Sequence, residues 1–382
     1  MTTRFHAIWH DLLDTDEAAA LDPGVPEGLA RRPDVAVVGG GILGVATAEA
    51  CTRAGLGDVV LLERTRLGAE ASGGALGLLT PAAHSGTDPD WFVRLATRSL
   101  QAWRELDARE GGVGLVDVDW LGLEPLAPAF RPPPGAESLG PSEIAELLPG
   151  LARPTAGVRV PGQARVNPLQ ALARLAGRLP GVATRVSVTD AVVRDGRVTQ
   201  LATTAGPLSP GVVAFATGGP PQLPGLPLEL PAHRVKGHIV ATAPAPVRLP
   251  GPVEPIGTQL ADGRLLVGGT LDVDDHSPDV DIGLAASLPE WAAAFLPAVT
   301  GIGVTHAWCC FRPAHPDLRP VLDRIPNVEN AWLTSGHYRT GILMSAVTAT
   351  LIAAWIRDGE APPDVSPLSI GRFAGDGTPD AR

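Results

Sequence analysis

Two short apolar runs near the start of the chain enclose a stretch with helical periodicity. Residues 34–38 and 58–62 each begin with Asp and otherwise contain only Val, Ala and Leu, which is typical of parallel strands buried on both faces. Between them, small and apolar residues recur at helical spacing from residue 42 to residue 54. The pattern predicts a βαβ unit. Residues 1–33, which precede it, show little periodicity and are predicted to form an arm.

Further along the chain the pattern of apolar positions is less regular. Residues 111–160 are rich in Gly and Pro and give no clear period. Asp195-Gly196, between two alternating segments, is a strong hairpin signal. The other predicted elements are amphipathic helices at 91–110 and 168–179, a buried strand at 212–216, alternating strands at 234–242, 254–260 and 264–270, a strand at 331–334 and a helix after Gly341.

The order of these elements predicts an α/β protein, α+β overall, with two domains. A Rossmann-like domain is expected to combine residues 34–90, 155–222 and 306–382. An antiparallel-sheet substrate domain, from residues 91–154 and 223–305, is expected to be inserted into it.

Composition narrows the class of protein. The chain has 382 residues and a net charge of −11, which makes nucleic acid an improbable partner. Its three cysteines are too few for a disulfide framework. No apolar run near the N-terminus predicts a signal peptide, and residues 341–356 are too short to span a membrane. We therefore expect a cytoplasmic protein without a membrane partner, and leave a homo-oligomer open.

A dinucleotide fingerprint lies at the first strand–helix junction. Gly39, Gly41 and Gly44 stand in the spacing Gly-x-Gly-x-x-Gly, with Ile42 and Leu43 inside it, and Glu63 follows 19 positions after Gly44. The glycines permit the tight turn, the approach of a pyrophosphate and close helix packing. Glu63 would accept hydrogen bonds from the ribose hydroxyls, which disfavours NADP. FAD and NAD both remain open at this point.

A second glycine-rich stretch follows the predicted ribose site and favours FAD. Its small residues suit a backbone that passes close to a large flat ligand. The candidate contacts in this stretch are Arg64, Ala71, Ser72, Gly73, Ala75, Leu76 and Gly77.

The strongest motif is the string Ser-Gly-His-Tyr-Arg-Thr-Gly-Ile-Leu at residues 335–343. With Phe-Arg-Pro at 311–313 and Arg-Val-Lys-Gly at 234–237, it makes the chain resemble the D-amino-acid-oxidase-like family of FAD-dependent amine oxidoreductases from residue 34 to about 358. The glycine-oxidase and sarcosine-oxidase branches are the most similar. The resemblance implies further FAD contacts at Val188, Thr217, Gly218, Tyr338, Arg339, Thr340, Gly341, Ile342 and Leu343.

The resemblance also implies the chemistry. In this family a hydride passes from the carbon beside a neutral amine to flavin N5, the imine is hydrolysed, and O2 usually reoxidises the flavin and yields H2O2. Three alternatives stay open: a dehydrogenase that uses a quinone or carrier, a flavin subunit of a larger complex with the N-terminal arm docked on its partner, and an NAD-dependent dehydrogenase.

Two residues are candidates for substrate chemistry. The resemblance implies that Arg312 grips a substrate carboxylate, whose geometry a guanidinium matches. His84, just after the glycine-rich loop, could move a proton near neutral pH. Related enzymes add a tyrosine hydroxyl from the substrate domain, but the only tyrosine here is Tyr338. The substrate is therefore an amine or amino acid whose identity the sequence leaves open.

Cys310 stands near the position at which sarcosine-oxidase relatives carry a cysteine linked covalently to the flavin. We expect non-covalent FAD, with a thioether through Cys310 as the alternative. No metal site is expected.

Overall fold

The computed structural model describes residues 6–109 and 111–373. Its helices are α1 (Thr15–Ala20), α2 (Ile42–Arg53), α3 (Asp90–Asp107), α4 (Pro141–Leu147), α5 (Pro168–Ala176), α6 (Ile282–Phe295) and α7 (Gly341–Asp358). Its strands are β1 (Val35–Val38), β2 (Val59–Leu62), β3 (Leu78–Leu79), β4 (Val116–Leu123), β5 (Glu137–Leu139), β6 (Gly157–Arg165), β7 (Val182–Ala183), β8 (Val188–Arg194), β9 (Arg197–Thr203), β10 (Val212–Gly218), β11 (His233–Pro244), β12 (Val253–Glu254), β13 (Thr258–Gln259), β14 (Arg264–Gly268), β15 (Val304–Ala314), β16 (Val321–Arg324) and β17 (Ala331–Ser335). Short 3-10 turns lie at Ile8–Leu12, Pro81–His84, Pro297–Val299, Pro363–Leu368 and Ile370–Phe373.

A six-stranded sheet in the order β16-β17-β10-β1-β2-β7 forms the Rossmann-like layer. Its pairings are parallel except for β16 with β17. Every residue of β1 and β2 is buried, because helices cover one face of the sheet and the β8–β9 hairpin lies on the other. The predicted βαβ unit and the α/β fold class are confirmed.

Two further sheets lie above the carboxyl ends of these strands. One has the order β13-β14-β11-β15 and is antiparallel; the other has the order β12-β4-β6-β3, with β5 on β6. The antiparallel sheet expected within 221–305 is present, but α6, which also lies there, was not predicted from the sequence. The single strand expected at 254–260 is instead two short strands, β12 and β13. The boundary drawn at residue 306 falls inside β15, which pairs along its length with β11.

The N-terminal segment differs from the predicted arm, because it packs on its own chain. Ile8 and Trp9 are buried in the same apolar core as α2 and α5. The Glu17 carboxylate accepts a hydrogen bond from the Arg174 guanidinium at 2.8 Å. These contacts make the described part of the segment an integral layer of the fold.

Helix α7 is the one described helix whose length and composition would allow it to cross a membrane. Most of it is enclosed between α2 and α3. The Trp103 indole donates to the carbonyl of Ile342 at 3.0 Å, and the Ser99 hydroxyl donates to that of Leu343 at 2.5 Å. Packing on both sides therefore fixes the helix start.

Lys236 on β11 holds residues 272–279, the segment that follows β14, against the sheet. Its side chain is fully buried. Its Nζ donates to the Asp275 carboxylate at 2.5 Å and to the Asp279 carbonyl at 2.6 Å. Its backbone also pairs in both directions with Asp272. The lysine thus ties residues 272–279 to the sheet.

Candidate functional site

A cavity of about 1520 Å³ opens where the carboxyl ends of β1, β2 and β10 meet the antiparallel sheet of β11 and β15. This edge of a parallel sheet is where α/β folds bind nucleotides. The cavity brings together most of the residues that the sequence singled out: Gly39, Gly41, Ile42, Leu43, Glu63, Arg64, Ala71, Ser72, Ala75, Leu76, Gly77, His84, Val188, Thr217, Gly218, Arg312, Tyr338, Arg339, Thr340, Gly341, Ile342 and Leu343.

Gly44 and Gly73 lie behind this wall. A β-carbon at Gly44 would collide with the carbonyl oxygen of Gly39, and one at Gly73 would collide with that of Gly68. Both glycines allow close backbone packing, which is the role the fingerprint predicts for Gly44. Gly73 lies outside the cavity lining and packs against Gly68, and its predicted contact with the cofactor stays a prediction.

The turn after β1 has the geometry that a pyrophosphate requires. Gly39 has a φ of +116°, and a β-carbon there would lie 2.7 Å from the carbonyl carbon of Ala216. The Ile42 N–H donates to the Ser72 hydroxyl at 3.0 Å. Because α2 starts at Ile42, its N-terminus faces the cavity and favours an anion there.

Glu63 is held at the tip of β2. One carboxylate oxygen accepts from the Gly40 N–H at 2.7 Å, and the other accepts from the Thr65 N–H at 2.8 Å. A carboxylate oxygen can accept more than one hydrogen bond, so capacity remains for ribose hydroxyls. These residues fit the adenosine end of a dinucleotide.

Two tryptophan indoles donate hydrogen bonds to backbone carbonyls of the glycine-rich loop. Trp308 on β15 donates to the Gly74 carbonyl at 3.0 Å, and Trp9 donates to the Ala75 carbonyl at 2.8 Å. The next contact comes from the Val166 N–H, which donates to the Gly77 carbonyl at 2.9 Å. Neither tryptophan was among the sequence candidates, since only the fold brings them to the loop.

The start of α7 forms another part of the wall. Tyr338, just before it, has a φ of +49°, and its N–H donates to the Pro313 carbonyl at 2.8 Å. The first N–H groups of a helix have no partner within the helix. Those of residues 341–343 therefore offer donors to the cavity, which suits the pyrimidine end of a flavin.

Arg312 projects from β15 into the same cavity. Its guanidinium donates to the Thr270 carbonyl at 2.9 Å and lies against Gly237, where a β-carbon would be 2.5 Å from Cζ. Burial lowers the pKa of Arg312, and the positive charge of Arg339 adds to this. Among residues 6–109 and 111–373, no carboxylate pairs with it. The site therefore has a half-buried positive charge that no carboxylate of the described residues compensates.

His84 belongs to a chain of three charged or polar side chains that line the cavity. Its Nδ1 is 2.8 Å from one oxygen of the Asp88 carboxylate, and the other oxygen forms an ion pair with Nη1 of Arg319 at 2.5 Å. The Phe92 ring packs against both His84 and Arg319. The sequence missed Asp88 and Arg319. The i, i+4 spacing from His84 was a signal for Asp88, whereas Arg319 comes from a distant segment.

The comparisons with known proteins agree with this geometry. A family model described as FAD dependent oxidoreductase matches residues 34–355. The chain belongs to this family.

Three related proteins show how similar this FAD-dependent oxidoreductase is to known members of the family. Glycine oxidase of Pseudomonas putida is 29% identical over 363 residues, which cover 88% of this chain and 97% of the relative. The bifunctional protein ThiO/ThiG of Synechocystis is 32% identical over 364 residues, 89% of this chain but 54% of that longer protein. The crystal structure of glycine oxidase from Geobacillus kaustophilus superposes with a TM-score of 0.79 and 27% identity, covering 91% of this chain and all of the other.

The chain is thus an FAD-dependent oxidoreductase of the glycine-oxidase type, and its cofactor is FAD. The NAD-dependent alternative is excluded by the family. The individual contacts to FAD and the roles of His84 and Arg312 stay predictions.

In this oxidoreductase Cys310 also faces the glycine-rich loop. A β-carbon at Gly74 would lie 2.6 Å from Cβ and 2.9 Å from Sγ of Cys310. Burial raises the pKa of the Cys310 thiol to about 11, although the charge of Arg312 opposes the shift. Cys310 is therefore a protonated thiol against the loop at neutral pH, and a protonated thiol is a poor nucleophile.

Proposed function

We propose that the chain is a cytoplasmic oxidase that uses FAD and O2 to oxidise an amine bearing a carboxylate, such as an amino acid or an N-substituted amino acid. The observation that carries this proposal is the uncompensated guanidinium of Arg312. A charge that is partly removed from water and has no partner of opposite charge is costly. A substrate carboxylate removes that cost with two parallel charge-assisted hydrogen bonds.

The fold gives Arg312 a fixed direction. Gly237 leaves room for the planar group, and the Thr270 carbonyl takes one of its protons. A guanidinium restrained in this way orients a bound carboxylate, and with it the carbon that carries the amine. When bound, FAD supplies the acceptor for the two electrons of that C–H bond.

The residues that would hold FAD are the fingerprint turn around Gly39 and Gly41, Glu63, the loop at 68–77 and the start of α7. The turn suits the pyrophosphate and Glu63 suits the ribose, whereas the loop and the start of α7 suit the isoalloxazine ring. The related proteins are named glycine oxidases, which supports an amino-acid-like substrate.

Part of the cavity wall outside the predicted flavin contacts is apolar, and this supports a substrate larger than glycine. Trp120 and Leu288 are almost fully buried. Trp291 is fixed at the edge of the cavity, since its indole donates to the Pro255 carbonyl at 3.0 Å. An apolar substituent on the substrate would bury surface against these groups.

The test is anaerobic reduction of the bound flavin with a panel of glycine, sarcosine, proline, D- and L-amino acids and plain amines. Bleaching of the flavin band by a carboxylate-bearing amine supports the proposal, and bleaching by none refutes it. O2 consumption with the same substrate tests the acceptor. If only a quinone or carrier restores the flavin band, the chain is a dehydrogenase.

Arg312→Ala tests the anchor. It should raise the KM for the carboxylate substrate by at least about tenfold, because a hydrogen bond to a charged group contributes ~1.5–3 kcal/mol. Plain amines should be unaffected. Equal weakening of both classes would contradict a carboxylate site.

A further inference from the structure

His84, Asp88 and Arg319 form a connected chain of polar contacts along the cavity wall. The side chains of His84 and Asp88 are only 17% and 15% exposed, and that of Arg319 is 25% exposed. His84 ends the 3-10 turn Pro81–His84, and its carbonyl accepts from the Asp88 N–H at 3.0 Å. The loop that carries both residues is therefore fixed by its own backbone.

Asp88 is ionised at neutral pH. Burial alone would raise its pKa, but the hydrogen bond and charge of His84, together with the charges of Arg319 and Arg339, outweigh burial and lower it. An ionised carboxylate accepts a hydrogen bond and cannot donate one. In the neutral imidazole, this acceptor therefore holds the proton of His84 on Nδ1 and leaves the lone pair on Nε2.

Within the described residues, the Nε2 atom of His84 has no hydrogen-bond partner, and it is not among the polar atoms that the protein encloses. Since His84 lines the cavity, this atom is open to a ligand. Arg339 interacts electrostatically with both Asp88 and Arg312. The histidine and the carboxylate site therefore lie around the same exposed arginine.

We propose that His84 accepts a proton from the substrate ammonium through Nε2, and that Asp88 and Arg319 are positioning residues that fix its tautomer and direction. This inference rests on the proposed function. An amine that enters as an ammonium has no lone pair and must lose a proton before its C–H bond can be oxidised. In the step, an N–H bond of the substrate breaks, its electron pair stays on nitrogen, and the proton binds Nε2 and passes later to solvent.

Arg319 keeps Asp88 in place from the other side. Without it, the carboxylate could rotate towards solvent and release His84. The charged groups around His84 are its own-loop partner Asp88, Arg319 from the loop after β15, Arg339 before α7, and the Asp317–Arg372 ion pair beside Arg319. Of these charged groups, only Asp88 contacts the imidazole directly.

The test uses the holoenzyme and the substrate that the anaerobic panel identifies. His84→Gln and Asp88→Asn should each slow flavin reduction about 10²–10⁴-fold, the range for loss of a general base, with little change in KM. The double variant should be no slower than His84→Gln, since both changes remove one function. His233→Gln, an exposed histidine outside the cavity, is the matched control and should react like wild type.

Two readouts separate proton transfer from a purely structural role. Imidazole added to His84→Ala should restore flavin reduction in proportion to its unprotonated fraction. The ¹⁵N spectrum of the holoenzyme, without any substrate, should show the Nδ1–H tautomer of His84 in wild type and its loss in Asp88→Asn.

The outcomes are distinct. Wild-type rates in both His84→Gln and Asp88→Asn overturn the inference but leave the proposed function standing. An Nε2–H tautomer in wild type overturns it without any turnover measurement. A wild-type flavin that no substrate reduces overturns the proposed function, and the proton-acceptor role with it.

Discussion

The guanidinium of Arg312 rests on the α-carbon of Gly237, and nothing larger than a hydrogen fits between them. Gly237 pairs with Cys310 across the two strands, so the arginine two residues further on reaches back over it. The Thr270 carbonyl completes the arrangement from β14's side. A glycine in this central strand leaves the space that lets the Arg312 side chain point across it.

Gly237→Ala should displace the guanidinium without removing its charge. We expect the KM for the carboxylate substrate to rise about tenfold while the FAD spectrum is unchanged, because only the hydrogen-bond direction is lost. Steady-state kinetics with substrate and with a plain amine would measure this. Gly303→Ala, next to the start of β15 with open space around it, is the control. An unchanged KM in Gly237→Ala would show that Arg312 does not depend on this contact.

Trp308→Phe should weaken FAD binding about fivefold. The change keeps an aromatic ring but removes the N–H that holds the Gly74 carbonyl, a net loss of ~1 kcal/mol. Isothermal titration of the apoprotein with FAD gives the Kd. Trp332→Phe is a suitable comparison, since the Trp332 indole N–H is buried without a partner and its loss should leave the Kd unaltered.

FAD should leave the protein on denaturation. Because the Cys310 thiol is protonated at neutral pH, it is a poor nucleophile for forming a bond to the flavin. Acid precipitation and centrifugation should leave the yellow colour in the supernatant, and Cys310→Ser should behave identically. Colour retained in a wild-type pellet but lost from the Cys310→Ser pellet would instead establish the thioether.

Stability should fall as the pH falls from 6.5 towards 4. Burial lowers the pKa of His337 to about 3, and burial together with Arg66 and His6 lowers that of His10 to about 4. Both bind a proton near pH 6.5 once unfolded, so the unfolded state gains protons in this window, and His337 alone changes stability by about 1.4 kcal/mol per pH unit. The stabilisation is fully present above pH 6.5.

Urea unfolding at pH 5 and pH 7 measures this difference. His10→Gln should reduce it, whereas His233→Gln, at an exposed position, should not. A wild-type free energy of unfolding that is equal at the two pH values would contradict the lowered pKa values of His337 and His10.

The sequence was sufficient for the parts of the fold that depend on local pattern. Continuous apolar runs predicted β1, β2 and β10, and the glycines at 39, 41 and 44 predicted the tight turn between β1 and α2. The Asp195-Gly196 hairpin appears as β8 and β9. In each case the signal lies within about 15 consecutive residues.

Long-range contacts were not visible in the same way. Trp9 reaches the loop at 75, Trp308 reaches 74, and Arg319 reaches Asp88. No periodicity links such positions, because their proximity is created by tertiary packing. The prediction of an arm at residues 1–33 differs from the structure for this reason. A segment with few apolar residues and weak periodicity can still be held in the core by one buried tryptophan, here Trp9.

Lys236 is the single lysine of the chain, and its amine is closed off beneath residues 272–279. An acylating reagent can therefore modify this side chain only while that segment is lifted from the sheet. Thr270 and Leu271, just before the segment, line the cavity. The rate at which Lys236 is acylated, measured by mass spectrometry, therefore reports how often the substrate side of the cavity opens. No engineered probe is needed.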